Sequence, residues 1–322
     1  MTRDSPLWVV GYGSLLWKPP LHELDISREF VRFPGYIQGY ARRFWQSSYD
    51  NRGTPEQKGR VVTIIPSDQI VGTPAFKPDV LRYELAGNAD AQEIINDSAR
   101  LYSELRVWGC IYYIPPQYAA MATKYLDFRE KDGYTIHKIH FNVTDPCGHE
   151  DVLQGLPCEN GRYIVESMIY IGTADNESFV GPEDVEETAR VIRKSAGESG
   201  PNDEYLLLLH HEVEKMGGDP YLEDLVTPAP DIFAALRHSL VAKHVLPTLQ
   251  HAAQTGFILL LLLFLDVASN ATGIWNSSEE TVQRGCYVAD HDLWNHRCRV
   301  PGRWTSAPLL RAAQEKRPRR RN

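Results

Sequence analysis

Apolar residues along the first two thirds of the chain fall in short dense runs broken by Gly and Pro. The runs predict strands first and helices later. Residues 7–12 are almost wholly apolar and predict a buried strand, ending at Gly11-Tyr12-Gly13-Ser14, where two glycines permit a tight turn. Pro19 and Pro20 interrupt regular structure beyond it. Residues 36–45 are aromatic-rich and predict one strand. Further strands are predicted over 60–65, 107–114, 134–143 and 166–171. Helical spacing appears over 118–128, through Ala119, Met121, Ala122, Tyr125 and Leu126. It returns over 184–196, over 203–216 after the start signals Pro201 and Asn202, and over 232–246 before Pro247. Between 67 and 105, Pro74, Pro78 and Gly87 break the pattern, so this stretch reads as an excursion with one helix over 90–105. Strands with one interleaved helix, then helices, make an α+β pattern and not a regular βαβ alternation.

Composition narrows the class. At 322 residues, 43% hydrophobic and 24% charged, the chain is close to the globular average, which excludes disordered, collagen-like and coiled-coil proteins. A formal charge of −8 argues against a nucleic-acid partner, since phosphate recognition favours a basic surface. The basic end, Lys316 to Arg321, reads either as a solvated terminus or as a nuclear-import or nucleic-acid contact. Five cysteines form an odd, sparse set unlike a disulfide framework, and the first residues carry no apolar signal core. A reducing, cytoplasmic location is therefore expected, with nuclear entry left open. The apolar run at 257–265 is shorter than the roughly 20 residues a spanning helix needs, so no membrane is expected.

Few residues offer recognisable chemistry. Cys286, His291, His296 and Cys298 carry the right atoms for zinc at spacings that match no usual knuckle. His210 and His211 with Glu212 and Glu214 read as a solvated helix face, because sequence neighbours on a helix point apart. There is no P-loop and no Gly-x-Ser-x-Gly elbow. Two features remain. The Gly11–Ser14 turn is either an ordinary tight turn or a cradle of backbone N–H groups for an anion. Glu130 stands at the negative end of a predicted helix, an unfavourable place for a carboxylate. It is either a surface charge or, if turned into a cavity, a base whose pKa burial would raise.

Seven segments, in order, sharpen this picture: VGYGSLLWK (10–18), YARRFWQS (40–47), DNRGTP (50–55), GRVVTI (59–64), YLDFREKDGY (125–134), YIGTADN (170–176) and SGPNDEYL (199–206). Together they resemble the ChaC-type glutathione-specific γ-glutamylcyclotransferases. The resemblance implies a γ-glutamylcyclotransferase-like fold, a mixed α/β domain around a small, mostly antiparallel β-barrel with flanking helices and the site at one mouth. It implies a catalytic domain over 7–224 with an insert at about 67–105 like that of fungal members. Residues 225–322 have no counterpart and are expected to be an extension of unknown function, partly helical, with a disordered basic end. Asn51 departs from the family pattern, where His is usual.

The implied reaction is cleavage of glutathione to 5-oxoproline and Cys-Gly by attack of the γ-glutamyl α-amine on its own γ-carbonyl. It consumes no water and needs no metal or redox cofactor. By family match Glu130 is the base. Tyr12, Gly13, Ser14 and Leu15 grip the glutamyl group, Leu16 and Trp17 extend that wall, and Tyr205 orients base or substrate. Arg42, Arg43, Arg52 and Arg60 are either partners of the substrate carboxylates or structural ion pairs. A monomer whose partner is the small molecule glutathione is expected. The alternatives are cyclotransfer on other γ-glutamyl amino acids or amines, and a non-catalytic binding module on the same fold.

Overall fold

The computed structural model describes residues 5–130 and 133–227. Its strands are β1 (Leu7–Gly11), β2 (Val31–Gln38), β3 (Tyr40–Ser48), β4 (Gly59–Pro66), β5 (Arg106–Ile114), β6 (Tyr134–Val143), β7 (Cys158–Glu159) and β8 (Arg162–Gly172). Five of them close into a barrel in the order β1-β5-β2-β6-β8, and β1 pairs back onto β8 at Val9 and Met168. That closing pair is parallel and the other barrel pairs are antiparallel. Closure satisfies the edge N–H and C=O groups that an open sheet would expose. Val9, Phe33, Ile37, Ile111, Phe141 and Ile169 are buried in the barrel core. The expected mixed α/β fold around a mostly antiparallel barrel is the one found.

The strand predicted over 36–45 is divided between β2 and β3. Gly39 makes the break, with φ at +81°, a conformation that side chains other than glycine's resist. A Cβ there would also collide with the Tyr102 ring. The turn sends β3 and β4 off as a separate antiparallel pair. This pair is tied to one end of the barrel. The Thr63 hydroxyl donates to the Gly172 carbonyl at 2.6 Å, and the Tyr134 hydroxyl donates to the Val62 carbonyl at 3.0 Å.

The insert folds as α1 (Ser67–Gly72), α2 (Lys77–Tyr83), α3 (Ala91–Ile94) and α4 (Ser98–Glu104). Ile70, Val80, Ile94 and Leu101 form a second core against Trp45 and Ile65 of the β3–β4 pair. The single helix predicted over 90–105 is two helices. Asp97 accepts hydrogen bonds from the N–H groups of Ala99 and Arg100, a capping role that competes with helix continuation.

The remaining helices are α5 (Pro116–Arg129), α6 (Glu150–Leu153), α7 (Val185–Lys194), α8 (Asn202–Glu214) and α9 (Pro220–Val226). Helix α9 was not foreseen, because Gly217-Gly218-Asp219-Pro220 reads as a breaker. Asp219 is instead its cap, accepting from the Tyr221 and Leu222 N–H groups at 3.1 and 3.4 Å. The expected domain boundary after residue 224 falls inside α9, whose Leu225 and Val226 are buried in the main core. His210 is likewise buried rather than on a solvated face, with its ring nitrogen 2.9 Å from a Glu223 carboxylate oxygen. The helix predicted over 232–246, the apolar run at 257–265, the Cys286–Cys298 group and the basic end lie outside the described residues. Among the described residues no helix is long and apolar enough to cross a membrane.

Candidate active site

One end of the barrel gathers most of the sequence-nominated residues. Strand β1 runs parallel to β8, and β6 begins at Tyr134 opposite Gly172, the last residue of β8. The end of β1, the start of β6 and the end of β8 therefore share one mouth. Beside it lie the C-terminus of α5, the β3–β4 pair and α8. A cavity of about 280 Å³ opens there, and Tyr12, Gly13, Ser14, Leu15, Glu130 and Tyr205 all line it.

The turn after β1 is a short 3-10 helix, Ser14–Leu16, held by the Leu16 N–H on the Gly13 carbonyl at 2.9 Å. The first N–H groups of such a turn have no partner within it. Those of Ser14 and Leu15 meet no backbone acceptor among the described residues. Gly13 is required by close approach: a Cβ there would lie 3.0 Å from the Tyr205 hydroxyl oxygen and 3.1 Å from a Val62 methyl. Leu16 and Trp17 are not brought to the cavity wall. Leu16 is buried in the core, and Trp17 packs edge-on against Tyr205 with ring centres 5.3 Å apart.

Glu130 ends α5 with a non-helical backbone, its N–H bonded to the Leu126 carbonyl at 2.8 Å. Its side chain is 18% exposed, and one carboxylate oxygen lies 3.3 Å from the Arg129 guanidinium. Arg129 also donates to the Ser14 hydroxyl at 2.6 Å and to the Lys18 carbonyl at 3.0 Å. A single guanidinium thus joins the base candidate to the turn. A cation beside Glu130 offsets the unfavourable helix end noted in the sequence.

Four tyrosines surround this carboxylate. Tyr12 donates to the Tyr170 carbonyl at 2.9 Å, Tyr170 to Asp127 at 2.8 Å, and Tyr134 to Val62. Tyr205 is wedged against Trp17 and Phe44. Burial pushes the pKa of all four hydroxyls above the ordinary tyrosine value, and the charge of Glu130 pushes in the same direction. Tyr205 reaches about 12. All four are therefore neutral near pH 7.

Of the four arginines singled out from the sequence, only Arg52 lines the cavity. It donates to the Pro201 carbonyl at 2.7 Å, pairs with Glu204 at 3.2 Å, and stacks over the Tyr205 ring. Arg42 is paired with Asp219, Arg43 with Glu84, and Arg60 with both oxygens of Glu183. Lys18, Arg129, Tyr134 and Tyr170 also line the cavity without having been nominated, although each lies inside a matched segment. Asn51 lines it as well, held by the Ser199 hydroxyl at 2.8 Å. No cluster of three or more His, Cys, Asp or Glu side chains suited to a metal occurs among the described residues.

Comparison with known proteins adds to the geometry. A sequence model of the ChaC-like protein family matches residues 7–229. The chain is 43% identical over 224 residues to the glutathione-specific γ-glutamylcyclotransferase of Saccharomyces cerevisiae, a match covering 67% of this chain and 89% of that one. It is 33% identical over 209 residues to the enzyme of the same name from Schizosaccharomyces pombe, covering 65% and 83%. Among solved structures, it is similar to the γ-glutamyl cyclotransferase specific to glutathione from yeast. That match has 39% identity and a TM-score of 0.60, and covers 69% of this chain and 95% of that one.

Proposed function

The chain belongs to the ChaC-like protein family, and on that premise we propose that it is a glutathione-specific γ-glutamylcyclotransferase, a lyase that degrades glutathione. The observation that carries the reading is the convergence of Glu130 and the Tyr12–Leu15 turn on one cavity. Its volume of about 280 Å³ is near the lower end of small-molecule pockets, a size suited to a tripeptide.

In this reading the turn holds the γ-glutamyl group folded, so that its α-amine faces its own γ-carbonyl. Oriented intramolecular attack of this kind can supply about 7–11 kcal/mol of the barrier. A free α-amine has a pKa near ~8 and is mostly protonated at neutral pH, so it needs a base. Glu130 takes that proton. The amine nitrogen then bonds to the γ-carbon, and charge builds on the γ-oxygen beside the Ser14 and Leu15 N–H groups. The carbon–nitrogen bond to cysteine breaks as Glu130 gives its proton to the departing nitrogen, and the carboxylate so restored takes the second proton from the ring nitrogen, which becomes the lactam N–H. The products are 5-oxoproline and Cys-Gly. Tyr205 and its neighbours, neutral and donating, line the pocket without adding charge. Leu16 and Trp17 act behind the wall, Trp17 by seating Tyr205. The protein acts as a cytoplasmic monomer, in keeping with a reduced thiol substrate and with the free Cys110 and Cys158.

The test is incubation of purified protein with reduced glutathione, with γ-glutamyl-alanine in parallel, and mass spectrometry of the products. Release of 5-oxoproline and Cys-Gly from glutathione alone is the expected result. Turnover of the alanine compound alone would keep the chemistry and discard the substrate. No product from either would leave a binding module.

A further inference from the structure

Glutathione carries two carboxylates, and a pocket that selects it over smaller γ-glutamyl compounds needs a cation for the far one. The cavity's two guanidinium groups both have protein partners, Arg129 at all three nitrogens and Arg52 through Nη1. Arg129 is divided among Glu130, Ser14 and the Lys18 carbonyl, and Arg52 among Glu204, the Pro201 carbonyl and the Tyr205 ring. Lys18 also lines the cavity, and its ammonium has no ion pair or side-chain hydrogen bond among the described residues. Glu23 and Glu204 attract it only from beyond ion-pair distance. It is half-buried beside two other cations. Burial first, and then the charges of Arg52 and Arg129, lower its pKa from the usual lysine value. An unpaired cation in such a place is stabilised when an anion arrives.

Position says which anion. Arg129 gives its Nε to Glu130 and its Nη1 to the Lys18 carbonyl, so the Lys18 backbone lies across this guanidinium from the base, and the charges that act on the Lys18 ammonium are those of Arg52, Arg129, Glu204 and Glu23 rather than Glu130. Next to Lys18 on the wall are His22 and Glu23, whose side chains are 29% and 74% exposed, which marks the open side. The glutamyl α-carboxylate is one carbon from the α-amine and must stay close to Glu130. The glycyl carboxylate lies two residues beyond the scissile carbonyl, about 7 Å away along an extended chain. The flexible four-carbon stem of a lysine suits such an end group.

We propose that Lys18 anchors the glycyl carboxylate of glutathione and sets the preference for the tripeptide over γ-glutamyl compounds without a carboxylate at that distance. This rests on the cyclotransferase reading above. Lys18 is here a specificity-determining residue; the bond-making step belongs to Glu130 and the turn.

The test compares wild type, Lys18→Met and Lys18→Arg on glutathione and on its C-terminal amide. Loss of a charge-assisted contact predicts that wild type has a KM about 10- to 100-fold lower for glutathione than for the amide. Lys18→Met raises KM for glutathione by a similar factor, leaves the amide and kcat unchanged, and so loses the preference. Lys18→Arg keeps most of it. Equal loss on both substrates, or no change on either, would overturn the assignment. The same comparison run as calorimetric binding in a Glu130→Gln background separates this claim from the activity. If wild type makes no 5-oxoproline, the reading of function fails. The anchor then stands if the Lys18-containing protein still binds glutathione more tightly than the amide and Lys18→Met does not, and falls if the two bind alike.

Discussion

Gly13 shows how a single residue sets the pocket. A Cβ there would lie 3.0 Å from the Tyr205 hydroxyl and 3.1 Å from a Val62 methyl, tighter than ordinary contact, and the two methyls of a valine would crowd them further. Gly13→Val must therefore push Tyr205 off its seat between Trp17 and Phe44 or move the turn itself. The expected outcome is a raised KM and a lowered kcat for 5-oxoproline release with an unchanged far-UV circular dichroism spectrum. Wild-type kinetics in that variant would remove the turn from the site. Glu130 and the turn were legible in the sequence because both sit inside matched segments. Lys18 and Arg129 sit in the same segments and were not picked out, because nothing local to either position marks it as facing a cavity. What distinguishes them is their convergence from the β1 turn and the end of α5, which are over 100 residues apart in the chain. For the other arginines the sequence left two readings open, and the structural ion pair holds for three of them. Arg42, Arg43 and Arg60 look like carboxylate receptors, and each faces a carboxylate of the protein itself.

At the scale of elements, Arg43 explains how the insert is held. It leaves β3 with its side chain 1% exposed and forms two hydrogen bonds, of 2.8 and 2.7 Å, to Glu84 just after α2. The guanidinium also lies over the rings of Tyr83 and of Tyr221 from α9. One residue of the β3–β4 pair thus fastens the insert and the last described helix together. Arg43→Ala leaves Glu84 without its partner. The expected cost is about 3–5 kcal/mol, read as a lowered chemical-denaturation midpoint. Replacing both partners, Arg43→Met with Glu84→Gln, is expected to recover much of it. A midpoint within error of wild type for the single change would show that the clamp carries no stability. Element positions were mostly legible, since dense apolar runs bounded by Gly and Pro mark β1, β4 and β5 well. The break at Gly39 and the start of α9 were not. One depends on a left-handed turn under Tyr102, and the other on a cap that sequence presents as a breaker.

At the scale of the molecule, the barrel supplies the mouth, and the turn after β1, the end of α5 and the start of α8 bring Ser14, Glu130 and Tyr205 to its cavity. The α+β order was readable from the runs, but the closure was not. It depends on the single parallel contact of β1 with β8, between residues 159 positions apart. The cavity belongs to residues before 206, and Tyr221, Leu222, Leu225 and Val226 of α9 complete the core. A chain ending after Thr227 is therefore expected to remain soluble and to keep its glutathione turnover. Loss of either property would place part of the later sequence in the working domain. Cutting after residue 224 instead removes Leu225 and Val226 from the core and is expected to destabilise the fold.

The central claim is that Glu130 moves the proton that allows glutathione to close on itself. Its most direct test is single-turnover release of 5-oxoproline by wild type and Glu130→Gln, with glutathione binding measured on both. The account predicts binding within a few-fold of wild type and a rate lower by about 10²–10⁴, the usual worth of a positioned acid–base group. A folded Glu130→Gln protein that binds glutathione and releases 5-oxoproline at close to the wild-type rate would contradict it.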